Sequence, residues 1–149
     1  MIDPKIYDAF FTALLEGKRS TCTDIVETLL KEGVEIKALY RQLFEKSLYQ
    51  VGKLWEQNKI SVAREHLVTA TTESLLNLVY PYLFAKHPTD KKAVISCAAN
   101  EHHQIGGKMV ADLFELNGWN SYFLGANTPV DQMISFIDEV HPDLVGLSL

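Results

Sequence analysis

Apolar residues recur every three or four positions through the first 87 residues, then gather into short continuous runs. The first regime predicts helices and the second predicts strands. Asp3 followed by Pro4 is an N-cap with proline at the first helical position, and Ile6, Phe10, Ala13 and Leu14 continue an apolar stripe. Ser20 or Thr21 can cap a second helix that carries Ile25, Val26, Leu29 and Leu30 and closes at Gly33. A third helix, about 36–57, places Leu39, Leu43, Leu48, Val51 and Leu54 on one side. Ser61 starts a fourth with Leu67, Leu75, Leu76 and Val79, which Pro81 should kink or end. Phe10, Phe44, Tyr49 and the aromatics of 80–84 read as core. Four amphipathic helices with short links predict a helical bundle.

Residues 87–92, His-Pro-Thr-Asp-Lys-Lys, form a short polar linker and the expected domain boundary. Beyond it the chain alternates: strand 93–98, helix 104–117, strand 120–124, helix 129–140, strand 143–149. Pro129 marks a helix start and Gly118 follows a helix end. Leu144, Val145, Gly146 and Leu147 suit a fully buried parallel strand. This alternation is the pattern of a doubly wound parallel sheet. The expected organisation is α + α/β, with a four-helix bundle over 1–87 and a parallel-sheet domain over 92–149. Three strands make an unfinished sheet with exposed edges, so the chain reads as cut short after the third.

Composition narrows the class. Hydrophobic residues at 47% and charged residues at 22% are those of a globular protein. A net charge of −5 argues against a nucleic-acid partner, which calls for a basic face. No apolar run reaches the roughly 20 residues needed to cross a bilayer, and the N-terminus lacks a secretory pattern. Cys22 and Cys97 form no Cys-x-x-Cys pair and read as reduced thiols in a cytoplasmic protein.

The candidate chemistry lies in Glu101-His102-His103-Gln104-Ile105-Gly106, where a strand gives way to a helix. An imidazole at the carboxyl end of a parallel strand points into the crevice where open α/β sheets bind ligands. A metal-ligating His is neutral and needs a partner for its second nitrogen, and Glu101 can supply one to His103. His102 reads as a surface or partner-facing residue. The bland alternative is a solvated polar loop. A zinc site of Glu101, His102 and His103 is disfavoured, because adjacent side chains on an extended segment diverge.

Read as Glu-x-His-x-x-Gly, this run resembles the Asp-x-His-x-x-Gly signature of cobalamin-binding domains, with Glu101 in place of Asp. Forty-one residues separate Gly106 from Ser148, which matches the Ser of the family's second element. A second match lies in the helical half. Trp55, nine residues, then Glu65-His66 is similar to the Trp-x9-Glu-His cap signature of adenosylcobalamin-dependent photoreceptor regulators. Glu56 stands where characterised members carry a capping His, and this sequence opens directly on the bundle, whereas those regulators carry a DNA-binding domain ahead of it.

The resemblance implies a helical cap over a Rossmann-like, flavodoxin-like domain that holds cobalamin base-off and His-on. On it, His103 is the lower axial cobalt ligand and Glu101 its carboxylate partner. Gly106, with Gly107, leaves room for the nucleotide tail, and Ser148 donates to the tail base. Trp55, Glu65 and His66 line the upper axial face. Close helix-strand packing explains the two glycines equally well. The function implied is sensing rather than catalysis: adenosylcobalamin binding, a response to light or to cofactor supply, and output through a regulatory partner, a downstream domain or a homo-oligomer. The alternative is a corrinoid carrier of a methyltransferase system, for which methylcobalamin is the form expected.

Overall fold

The computed structural model describes residues 1–84, 88–98, 101 and 103–148, arranged as two compact units, Met1–Val79 and Tyr80–Leu149. Parts of the predicted 87–92 linker, His102 and the last residue of the predicted 143–149 strand lie outside the described residues. No helix among those described is long and apolar enough to cross a membrane.

The first unit holds the four expected helices. Helix α1 (Pro4–Glu16) starts where Asp3 Oδ1 accepts from the Lys5 amide at 2.8 Å. Helix α2 (Arg19–Lys31) starts earlier than expected. Lys18 is its N-cap and makes no side-chain cap bond, so neither Ser20 nor Thr21 has that role. Its end matches: the amides of Gly33 and Val34 donate to Leu30 and Leu29 carbonyls, which closes the last turn. The third helix runs without a break through α3 (Ile36–Ala38), a π-helical segment (Leu39–Glu45) and α4 (Lys46–Glu56). Ser47 is buried there and Leu48 only half-buried. Helix α5 (Val62–Val79) begins after Ser61, whose Oγ accepts from the Arg64 amide, and gives way to a 3-10 turn at Tyr80–Tyr82, around Pro81.

Phe10, Leu14, Val26, Leu39, Leu43, Phe44, Val51, Val68, Leu76 and Val79 are fully or almost fully enclosed. The ring of Phe44 lies 6.2 Å from that of Phe10 and 5.7 Å from that of Tyr40. The aromatic expectation fails elsewhere. Tyr49 is 69% exposed, and Tyr80, Tyr82 and Phe84 are also on the surface. Helical spacing assigns a face to each residue, but only packing decides which face is covered.

In the second unit, β1 (Lys92–Cys97), α6 (Ile105–Leu116), β2 (Asn120–Gly125), α7 (Val130–Val140) and β3 (Leu144–Ser148) form a parallel sheet of order β2-β1-β3. The central strand β1 is enclosed from Ala93 to Cys97. Ala93, Ile95 and Ala111 form the core, with Phe114, Trp119 and Phe123 packed against it. At the end of α6 the chain turns through Gly118 at φ +84°, where the Gly118 and Trp119 amides donate to Glu115 and Phe114 carbonyls. The left-handed conformation is why glycine stands there. Strand β3 corrects the expectation of full burial: it is an edge strand, with Leu144, Val145 and Leu147 all exposed.

Candidate functional site

The parallel strands end together at Cys97, Gly125 and Ser148. Strand order reverses between β1 and β3, and such a reversal opens a crevice at the carboxyl edge of the sheet. The loop that leaves β1 carries Glu101 and His103, and Ser148 ends the strand on the other side.

Glu101 Oε1 accepts twice from the same residue: from the His103 amide at 2.6 Å and from its ring Nδ1 at 2.8 Å. An ionised carboxylate only accepts, so in the neutral ring the proton sits on Nδ1 and the lone pair on Nε2. The His103 side chain is 82% exposed, and its Nε2 has no hydrogen-bond partner among the described residues. That is the donor a metal needs: tautomer set, nitrogen bare, ring accessible. Beside it, burial pushes the Cys97 thiol above its ordinary pKa, and the charge of Glu101 adds to the effect.

The structure separates the two glycines. A Cβ on Gly107 would stand 3.2 Å from Phe123 Cε2, 3.7 Å from Cys97 Sγ and 3.8 Å from Ser148 Cβ, so this glycine serves helix-strand packing. A Cβ on Gly106 would meet nothing within 4 Å among the described residues. Among the described residues no contact calls for a glycine there, and the space beside it is open. Ser148 comes beside the start of α6, and its carbonyl accepts from the Ala98 amide at 2.8 Å. His103 and Gly106 therefore fit a corrinoid held through cobalt: an imidazole with a bare nitrogen just before a helix start, and at that start a glycine with open space among the described residues.

Trp55, Glu65 and His66 belong to the first unit, either side of the link between α4 and α5. Trp55 is in the last turn of α4 and is 48% exposed. Glu65 lies in the first turn of α5. Its Oε1 accepts from Thr69 Oγ1 at 2.8 Å and its Oε2 bonds His66 Nδ1 at 2.6 Å. The His66 side chain is 70% exposed. This end of α5 is fastened by Arg64 Nη1, which donates to the Leu15 carbonyl at the end of α1. The arrangement at Glu101 and His103 is thus repeated, with an exposed imidazole gripped through Nδ1 by a carboxylate.

Two side chains escaped the sequence reading. Thr69 holds Glu65, and its signal is the four-residue helical spacing. Gln104 Oε1 accepts from the Ala126 amide in the loop after β2, and no local spacing announces that bond. A half-open cavity of about 220 Å³ bordered by Lys108, Asp112, Glu115 and Ser121 lies along α6 and β2 and includes none of the predicted site residues.

The family described as B12 binding domain matches residues 6–80, and a second family of the same description matches residues 91–149. Curated relatives include the HTH-type transcriptional repressor CarA of Myxococcus xanthus, 35% identical over 90 residues, with 60% of this chain and 31% of the repressor covered. The HTH-type transcriptional repressor CarH of the same organism is 27% identical over 127 residues, covering 85% of this chain and 41% of its own length. Trimethylamine corrinoid protein 1 of Methanosarcina acetivorans is 19% identical over 139 residues, covering 91% of this chain and 64% of that protein. The chain spans less than half the length of either repressor. Among solved structures, the Methanosarcina barkeri monomethylamine corrinoid protein superposes with a TM-score of 0.83 at 16% identity, covering 98% of this chain and 69% of that one.

Proposed function

This chain belongs to the B12-binding domain family and is a cobalamin-binding protein, and on that premise we propose that it is a cobalamin-responsive regulator rather than an enzyme. His103 is the lower axial ligand, oriented by Glu101. Gly106 admits the nucleotide tail and Ser148 donates to its base. Trp55, Glu65 and His66 contact the upper ligand, for which adenosylcobalamin is the preferred form. Cobalamin, when bound, would supply a cobalt ion able to exchange a ligand in response to light or to cofactor supply. Output runs through the helical unit to a regulatory protein partner, to a downstream domain or to another copy, in the cytoplasm.

The observation that carries the sensing reading is Trp55, half-exposed at the same end of the bundle as an imidazole held by Glu65. About half of the Trp55 side chain stays in water, so roughly half of the ~1.5–3 kcal/mol that full burial of a large apolar side chain yields is left for contact with a flat ligand. The repressors CarA and CarH support a regulatory role. The 91% of this chain matched by a corrinoid protein favours the carrier as second reading.

One set of spectra tests both. Protein loaded with adenosylcobalamin should show the base-off, His-on absorption, which His103→Ala should lose. If labelled histidine gives no nitrogen splitting in the Co(II) spectrum of the wild-type protein, His103 is not on the metal. Trp55→Ala and His66→Ala should weaken retention of adenosylcobalamin more than that of methylcobalamin. Equal losses for both, with no spectral or size-exclusion change after green light, overturn the sensor in favour of the carrier.

A further inference from the structure

Gln104 occupies the N-cap position of α6 but makes no side-chain cap bond. Ser, Thr, Asp or Asn would serve a cap better, because their short side chains reach the amides of the first turn. The longer Gln104 side chain reaches out of its own element. Its Oε1 accepts from the Ala126 amide at 3.3 Å, across to the loop that follows β2. The backbone there is shaped to let it in. Gly125 has φ +77°, and a Cβ on it would press to 3.2 Å from that same oxygen. Any other residue at 125 would both strain the turn and crowd the contact.

The segment that carries His103 is therefore fastened on two sides of the imidazole. Glu101 grips the histidine's own amide and ring, and Gln104, the next residue, ties the segment to the β2 loop. Since β2 and β3 flank β1 on opposite sides, this tie lies on the side away from β3 and leaves the β1–β3 crevice clear. We propose that Gln104 is a positioning residue for His103. Its bond to Ala126 braces the histidine loop so that the imidazole stands where cobalt must meet it, and Gly125 is the glycine that makes the bond sterically open. This rests on the reading that His103 ligates cobalt.

The role needs an acceptor oxygen at that reach, not bulk or charge, and this defines the test. Gln104→Leu keeps size and removes the acceptor, whereas Gln104→Glu keeps the acceptor. The readout is electron paramagnetic resonance of the Co(II) form in protein carrying isotope-labelled histidine, in which the nitrogen splitting identifies a protein imidazole on the metal. Loss of one hydrogen bond predicts roughly a three- to ten-fold lower ratio of His-on to His-off cobalt in Gln104→Leu, with recovery in Gln104→Glu. Gly125→Ala should shift the ratio the same way, and combined with Gln104→Leu it should add less than the sum of the two.

His103→Ala is measured in parallel. If that variant keeps the labelled splitting, the cobalt assignment itself is wrong. If it loses the splitting while Gln104→Leu retains the wild-type ratio, the ligand stands and the brace is refuted. A Gln104→Leu defect that Gln104→Glu fails to restore also refutes it, because the side chain would then be serving the fold alone.

Discussion

Alanine placed separately at Gly106 and Gly107 distinguishes a ligand cradle from a packing glycine within one helical turn. At Gly107 the new methyl would stand 3.2 Å from Phe123 Cε2. Phe123 is itself packed against the cluster of Ala93, Ile95 and Ala111, so its ring has little freedom to retreat. Such overpacking costs about 1–3 kcal/mol, and the helix preference of alanine offsets roughly 0.5–1 kcal/mol of it. Gly107→Ala should therefore destabilise the second unit by about 1–2 kcal/mol. At Gly106 the methyl meets nothing within 4 Å among the described residues, so the helix preference is the effect that acts. In a first turn that gain is about 0.5 kcal/mol, which raises the melting temperature of the cofactor-free protein by roughly 2–4 °C. The same methyl occupies the space assigned to the nucleotide tail and should weaken cobalamin binding by roughly tenfold or more, about 1.4 kcal/mol. Circular dichroism melts of the apoprotein and absorbance titrations with cobalamin measure the two effects separately. Wild-type affinity in Gly106→Ala would refute the cradle, and a Gly107→Ala protein that melts at or above wild type would refute the packing argument.

Phe44, fully buried between Phe10 and Tyr40, should cost the helical unit about 3–5 kcal/mol on truncation to alanine. Urea unfolding of Phe44→Ala reads this out, and a loss below about 1 kcal/mol would mean the bundle core collapses around the gap. Burial pushes the Cys22 thiol up from 9.0 to about 11. The folded state thus favours the protonated thiol, so this contribution to stability is whole below pH 9 and lost as pH rises through about 11. At pH 8 only about one thiol in a thousand would be thiolate, so Cys22 should resist thiol reagents until denaturant is added. Rapid labelling of native protein at pH 8 would contradict this.

What the sequence disclosed well is local. Asp3 and Pro4 start α1 through one side-chain bond to an amide two residues on, and Gly33 and Gly118 end helices through bonds confined to the last turn. Such features need no knowledge of the rest of the molecule. The strand-helix alternation after residue 92 has the same character, since period and turn residues are read over short windows. Residues whose state depends on what covers them were misread. Tyr49 has the aromatic side chain of a core residue but lies on the uncovered side of α4, and β3 has an interior composition at a sheet edge. The Glu101–His103 pair was readable because its partners are two residues apart. The bond from Gln104 to Ala126 was not, because 22 residues and a whole strand separate its ends.

One oxygen of the Glu101 carboxylate serves both the backbone and the ring of His103. A histidine on an exposed loop has two costs before it can ligate a metal: its side chain must lose rotamer freedom, about 0.5–1.5 kcal/mol, and its ring must hold one tautomer. Gripping Nδ1 meets both costs at once. Gripping the amide with the same atom ties the ring to the loop backbone, so the imidazole cannot turn without breaking the bond. The ring nevertheless stays 82% exposed, so bringing it to a metal buries no group already packed against protein. A buried histidine would need its surroundings to open first. Exposure here is therefore compatible with a precise ligand, because hydrogen bonding rather than packing supplies the precision. His66, held by Glu65 in the same way and likewise open to solvent, follows the same physical logic in the helical unit.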